Sequence, residues 1–179
     1  MVRKSSPTEP IVTPFTIVYD DREGLPFRFE SIKADSDQHH RPIAVQRKMR
    51  RLATGDYSLE GFEQLVCVER KSIDDLFCTL GQGRERFEEE HRRMAQLRTA
   101  CVVIESPWDE IINNPPIRSS LNPKTVWRTA VSWSIRYSVP WYAMPNRAAA
   151  ESWTYRFLEM FYRHHLHQQK RTKGQSDND

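Results

Sequence analysis

The sequence predicts an α/β domain built on a central sheet. Two observations carry that expectation. Segments with strand character alternate with segments of helical character along the chain. Glycines and prolines punctuate the joins, and ACVVIE at 100–105 reads as a buried strand. The chain has 179 residues, enough for one domain with short tails. Charged residues make up 28%, which is polar, yet five Trp, eight Phe and six Tyr supply a core. No run approaches about 18 apolar residues, so no transmembrane helix is expected. The opening MVRKSSPTEP has no apolar stretch behind its basic residues and does not read as a secretory leader. Cys67, Cys78 and Cys101 are odd in number and lack CxxC spacing. That argues against a disulfide framework or a zinc knuckle and suits a reducing compartment. Net charge is only +3, so any nucleic-acid contact must come from local charge.

The elements follow in order. Residues 1–13, with Pro7 and Pro10 and little apolar character, read as a flexible arm. PFTIVYD (14–20) is rich in β-formers and ends in acids, a strand running into a loop. Residues 21–42, with Gly, Pro, Asp and paired His, read mostly as loop. IAVQRKMRRLA (43–53) reads as a strand that Gly55 breaks. YSL (57–59) and QLVCVERK (64–71) flank Glu60-Gly61 and predict a β-hairpin. Ser72 is the N-cap of SIDDLFCTL, with Asp75 three residues on. Gly81 and Gly83 separate that helix from 84–98, which Glu88–Arg92 and Glu89–Arg93 favour. After the strand at 100–105, Asn122 caps a helix over 123–138. PWYAM (140–144) is a short strand, and 147–166 a long terminal helix. One domain over 14–167 is therefore expected. QQKRTKGQSDND (168–179), without large apolar residues, reads as a disordered tail.

Chemistry concentrates in residues 20–71. Asp20, Asp21 and Glu23 stand at a strand end, and Asp56 follows Gly55 at the start of the hairpin. Glu69 and Lys71 lie on its return strand, and the period of 2 puts both on one face. Pairing around Glu60-Gly61 brings Asp56 near that face. Converging carboxylates repel one another unless a divalent cation binds them, and an all-oxygen set suits Mg²⁺ or Mn²⁺. A lysine beside them can hold a hydroxide or stabilise a developing phosphorane charge. That combination hydrolyses phosphodiesters. Alternation along Phe15–Asp20 does not decide between Asp20 and Asp21.

Asp20-Asp21-Arg22-Glu23, Gly55-Asp56-Tyr57 and Val68-Glu69-Arg70-Lys71-Ser72-Ile73-Asp74-Asp75-Leu76 resemble, in order and spacing, the signature of the XPF-type (Hef-like) structure-specific endonucleases. Thr79-Leu80, Gly83-Arg84 and the strand Val102–Glu105 extend the likeness over roughly 15–166. The resemblance implies a restriction-endonuclease-like fold, a central mixed sheet flanked by helices, and metal-dependent cutting of branched, flap or junction DNA. It matches Asp56 and Glu69 to the principal metal ligands, Asp20 to a further one, and the Arg70 carbonyl to the coordination sphere. It matches Lys71 to the catalytic lysine, Glu23 to a further active-site acid, and Arg22 and Arg70 to basic residues of the same motifs. It also implies repair or recombination DNA as partner and an intracellular setting: prokaryotic or virus-infected cytoplasm, or a nucleus. The family's glutamine after Gly-Arg falls at Glu88, where a carboxylate would repel phosphate. The helix-hairpin-helix repeats of many members have no counterpart here, so a stand-alone nuclease or a piece of a longer protein is expected. Two other readings stay open: a non-catalytic DNA-binding or scaffold subunit, and a sequence-specific endonuclease on the same fold.

The remaining charged residues divide two ways. Arg41, Arg47, Lys48, Arg50 and Arg51 form an acid-free run that either contacts phosphate or solvates an edge strand. Arg84 and Arg86, after a glycine pair, either grip phosphate at a helix start or are offset by the acids at 88–90. His39, His40, His164, His165 and His167 lack cysteine partners and read as solvated. Finally, 147–166 shows two apolar stripes: Ala150, Trp153, Phe157, Phe161, and Leu158, Tyr162, Leu166 with Tyr155 nearby. A helix on a sheet needs one stripe. Helix 123–138 is expected to cover part of the second, and a homodimer through these C-terminal helices the rest.

Overall fold

The computed structural model describes residues 9–35 and 40–176, with side chains as far as 169. The arm before residue 9, His39 and the end of the tail lie outside the described residues. The elements are β1 (Ile11–Tyr19), β2 (Ile43–Met49), β3 (Tyr57–Leu59), β4 (Val66–Lys71), α1 (Ile73–Gly81), α2 (Arg84–Met94), β5 (Thr99–Ile104), α3 (Trp108–Asn113), α4 (Pro123–Tyr137), β6 (Trp141–Ala143) and α5 (Arg147–Ser176). One mixed sheet of six strands runs β2-β1-β3-β4-β5-β6. β1–β2, β4–β5 and β5–β6 are parallel; β1–β3 and β3–β4 are antiparallel. The α/β class and the central mixed sheet are those the sequence predicts.

The elements differ from expectation in three places. β1 begins at Ile11, inside the stretch read as an arm, because Ile11 and Val12 pair with Ile43 and Ala44 of β2. Pro14 lies where the register shifts between Val12 and Thr16, a break that tolerates a residue without N–H. α5 continues to Ser176, past the expected end at 166. α3 is an unanticipated single turn and a half after Pro107. The expected caps hold: Ser72 Oγ accepts from the Asp75 N–H at 3.2 Å, and Asn122 Oδ1 from the Lys124 N–H at 2.9 Å.

Strand alternation divides the core. Val66, Val68, Cys101 and Val103 face α5, joining Phe15, Ile17, Phe27, Phe29, Tyr57, Tyr155 and Leu158. Cys67, Val102 and Ile104 face the other way, against Leu76, Phe77, Leu80, Phe87, Val126 and Trp133 of α1, α2 and α4. α4 and α5 therefore lie on opposite faces of the sheet, and α4 does not cover the second stripe of α5. The chain itself covers Tyr155, Leu158 and part of Tyr162, while Leu166 stays 37% exposed. Phe29 and Phe15 approach Tyr155, while Phe15 and Phe62 approach Tyr162, at ring separations of 5.2–6.5 Å.

His91 of α2 is fully buried in a box of Phe87, Trp133, Tyr137 and Trp141. The Trp141 indole N–H donates to its Nε2 at 3.0 Å, so Nδ1 carries the proton and donates to the Phe87 carbonyl at 2.9 Å. Burial pushes its pKa down to about 4, from an ordinary 6.5. A base depressed in the folded state stabilises the fold fully above 6.5 and loses that contribution as pH falls through 4. The contribution is about 3 kcal/mol. The gap in denaturant midpoint between the wild type and His91→Gln is expected to narrow over that interval; a gap constant from pH 7 to 4 would contradict the buried neutral imidazole.

Candidate functional site

β4 decides which side chains meet. Its alternation sends Glu69 and Lys71 toward α1 and α2, and Arg70 to the opposite face. Glu69 and Lys71 are 7% and 9% exposed, scarcely more than the core around them. Lys71 Nζ lies 3.0 Å from Glu69 Oε1 and 2.8 Å from Asp75 Oδ2, and 4.7 Å from the Phe87 ring centroid. Asp75, known from the sequence only as part of the α1 cap, thus also anchors the lysine.

Asp56 enters from the turn before β3. Gly55 has φ +72°, a conformation only glycine adopts freely, and a Cβ there would stand 2.9 Å from Cys67 Cβ. The Asp56 N–H donates to the Val68 carbonyl at 2.9 Å, and Asp56 Oδ2 accepts from the Arg70 N–H at 2.7 Å. Because a strand residue's N–H and C=O leave on the same side, the Arg70 carbonyl also faces the end of β3 where Asp56 stands.

Burial raises the Asp56 pKa well above the usual carboxylate range, and the Glu69 carboxylate raises it further. Burial also raises Glu69, with Lys71 opposing and Glu90 assisting. For Lys71, burial works against the charge, but Glu69 and Asp75 outweigh it and hold the ammonium protonated. Lys71 is therefore a fixed cation at neutral pH.

The other sequence-predicted residues divide. Asp20 is buried and lines the same pocket. Both its oxygens are engaged: Oδ1 by the Arg22 N–H at 2.9 Å and Nε at 2.6 Å, Oδ2 by the Leu52 N–H at 2.7 Å and Arg22 Nη2 at 3.1 Å. Burial would raise its pKa, but these donors win and hold it down. Asp21 is instead exposed and pairs with Arg51 at 3.0 Å. Glu23 is bound by Arg70 Nη1 at 3.1 Å. Arg70 also grips Glu105 at 2.7 and 2.8 Å, and Glu105 takes Arg147 of α5 at 2.6 Å. The Arg70 side chain thus braces β4, β5 and α5 from behind.

The basic run is largely neutralised. Lys48 and Arg50 reach Glu60 at 2.5 and 2.9 Å, Arg50 also reaches Glu63 at 2.7 Å, and Arg47 donates to the Phe27 carbonyl. Arg84 donates to Thr129 Oγ1 at 2.9 Å and lies over the Trp133 ring, away from the pocket. Glu88 faces Arg136 and Tyr137 rather than the pocket. Besides Arg70, whose side chain is turned to Glu23 and Glu105, the cations lining the pocket are Arg22, Lys71, Arg86 and Arg93. Glu90 is the acid of α2 that enters it, sharing a face at i, i+4, i+7 with Arg86 and Arg93 that the sequence reading passed over.

These groups line an open pocket of ≈ 440 Å³. Among the described residues, no group of three or more His, Cys, Asp or Glu side chains is gathered so as to hold a metal ion by itself. The donor set fits a hard cation that keeps much of its water: two neighbouring carboxylates under mutual repulsion, with a backbone carbonyl beside them. Among the described residues, no helix is long and apolar enough to cross a membrane.

No curated protein matches the chain. The similar solved structures include two of one protein. XPF from Aeropyrum pernix has a TM-score of 0.62 at 19% identity, covering 83% of this chain and 65% of that one. XPF from Aeropyrum pernix in complex with DNA has a TM-score of 0.60 at 18% identity, covering 83% and 66%. The chain thus spans just under two thirds of the length of each, and the likeness is one of fold. A family model, the ERCC4 domain, matches residues 19–157. That span runs from the end of β1 into α5 and contains every acidic side chain of the pocket, so this chain belongs to the ERCC4 domain family, as its resemblance to XPF-type proteins implied.

Proposed function

We propose that the protein is a divalent-metal-dependent endonuclease that hydrolyses phosphodiesters in branched or flap DNA. The observation that carries this is the Asp56–Glu69–Lys71 constellation: two neighbouring carboxylates and a charged ammonium at the open end of the sheet. Asp56 and Glu69, with the Arg70 carbonyl, would hold Mg²⁺ or Mn²⁺; Asp20 and Glu23 complete the acidic surround through Arg22 and Arg70 or through water. A bound divalent ion supplies positive charge at the scissile phosphate and lowers the pKa of a coordinated water.

The chain's own residues do the rest. Lys71, already charged, does not act as the base. Its ammonium donates to the attacking water oxygen or a non-bridging phosphate oxygen and offsets charge that grows as the new P–O bond forms and an ester P–O bond breaks, the water's proton leaving to solvent and the ester oxygen taking one up from solvent. Glu69 and Asp75 hold it in place from two sides. Arg22 and Arg86 at the rim suit flanking phosphates, which position the strand without reading bases. Support for DNA as the substrate comes from the family and from the likeness to the XPF–DNA complex; the preference for branches rests on the motif resemblance. Linear, flap, fork and four-way DNAs of identical sequence, incubated with Mg²⁺ or Mn²⁺, test it. Cleavage of the branched forms only is expected. Cutting of every form at one sequence would replace the proposal with a sequence-specific endonuclease, and no cutting of any form would favour a non-catalytic subunit.

The proposal includes a homodimer through the C-terminal helices, with the exposed stripe of α4 at its centre. Trp127, Val131 and Ile135 are 51%, 49% and 78% exposed at i, i+4 and i+8, one apolar stripe left uncovered by the described residues. Two copies meeting there would bury something on the order of 800 Å² each. Light scattering at tens of micromolar should give a dimer that Ile135→Arg converts to a monomer. A wild-type monomer, or a dimer indifferent to Ile135→Arg, would contradict this surface.

A further inference from the structure

The Gly55-Asp56 turn is held from outside the hairpin by α2, and we infer that Glu90 is a positioning residue for Asp56. The Gly55 N–H donates to Glu90 Oε1 at 2.9 Å, across 35 residues of sequence. Gly55 is the point where this contact has most leverage. Its positive φ sets the direction in which Asp56 leaves the turn, and the chain has no room to relax inward, because Cys67 Cβ, Cys67 Sγ and the Val68 carbonyl all lie within 3.2 Å of a Cβ built there. Asp56 is then pinned on its far side by Val68 and Arg70. The carboxylate is thus clamped between two anchors, one from β4 and one from α2.

Glu90 is itself fixed. Its second oxygen pairs with Arg93 one turn on, and both residues line the pocket with Arg86. Helix α2 is in turn packed by Phe87, His91 and Met94 into the core, so the anchor sits on a rigid element. A carboxylate accepting a backbone N–H makes a strong, charge-assisted bond. This inference rests on the nuclease reading for its catalytic consequence, but the anchoring can be measured without cleavage.

The test uses Glu90→Gln, which keeps an acceptor oxygen for Gly55, and Glu90→Ala, which removes it while remaining a good helix residue. Hydrogen exchange at the Gly55 amide is the first readout. Exchange in Glu90→Ala is expected to speed up at least about tenfold and in Glu90→Gln to stay near wild type, with equal global stabilities. Single-turnover cleavage of flap DNA in Mg²⁺ is the second. Glu90→Ala should lose about 10–100-fold in rate with DNA affinity unchanged, the loss typical of a group that orients a ligand residue, and Glu90→Gln should restore most of it. Unchanged Gly55 exchange in Glu90→Ala would overturn the anchor. Equal rate losses in both variants would also overturn it, since the charge and not the hydrogen bond would then matter. A wild type without cleavage would fail the nuclease reading and leave the exchange result to decide the anchor.

Discussion

Lys71→Ala is expected to lower single-turnover cleavage by about 10²–10³-fold, and Asp56→Asn or Glu69→Gln by on the order of 10³-fold. The reason is the geometry around Nζ. Glu69 and Asp75 hold the ammonium at 3.0 and 2.8 Å, so its position is fixed before DNA arrives. Preorganised charge acts where phosphorane charge develops and needs no rearrangement at that moment. Because Glu69 both orients Lys71 and would hold the ion, the double variant Glu69→Gln/Lys71→Ala should be little worse than Glu69→Gln alone. Retention of near-wild-type turnover by Lys71→Ala in Mg²⁺ would remove the lysine from the mechanism. Lys71→Met, which keeps an unbranched apolar stem in the same space, guards against a loss that merely reflects unfolding.

The second large effect is on stability, and its sign follows from the raised carboxyl pKa values. Asp56 binds its proton more tightly in the folded protein than at its ordinary value of 3.8, first because it is buried and then because Glu69 repels its charge. The native state therefore holds more protons above that value, and stability falls as pH rises through the folded-state pKa. At neutral pH in EDTA the acidic pair is a liability, and Asp56→Asn should melt at or above the wild type. Adding Mg²⁺ to about 100 times its dissociation constant should raise the wild-type stability by about 2.7 kcal/mol, roughly 5–10 °C. The variant should gain less than half as much. Equal metal-induced shifts in the two proteins would place the ion elsewhere.

What the sequence made legible was local. The two-residue period of β4 put Glu69 and Lys71 on one face, and Gly55-Asp56 read as a turn because its conformation suits glycine. Ser72 and Asn122 announced their helices through short-range capping bonds. Features that failed or were missed depend on long sequence separations. The ion pairs of the basic run were missed because Glu60 and Glu63 arrive from beyond β3. Amphipathic patterns in α4 and α5 announced apolar faces but not which side of the sheet each would take, and α5 has part of its second stripe covered because Phe15, Phe29 and Phe62 pack around it. Arg70 read as a basic motif residue; its side chain pairs with Glu23 and Glu105, 47 and 35 residues away. Glu90 was hidden among three consecutive acids whose functions only the rotation of α2 separates.

Diffraction from crystals soaked in Mn²⁺, collected at the manganese absorption edge, tests the central claim most directly. The account expects one strong anomalous peak within bonding distance of Asp56 and Glu69 carboxylate oxygens and the Arg70 carbonyl, absent in Asp56→Asn crystals. A soaked wild-type crystal without density there, or with its manganese bound at other side chains, would contradict it.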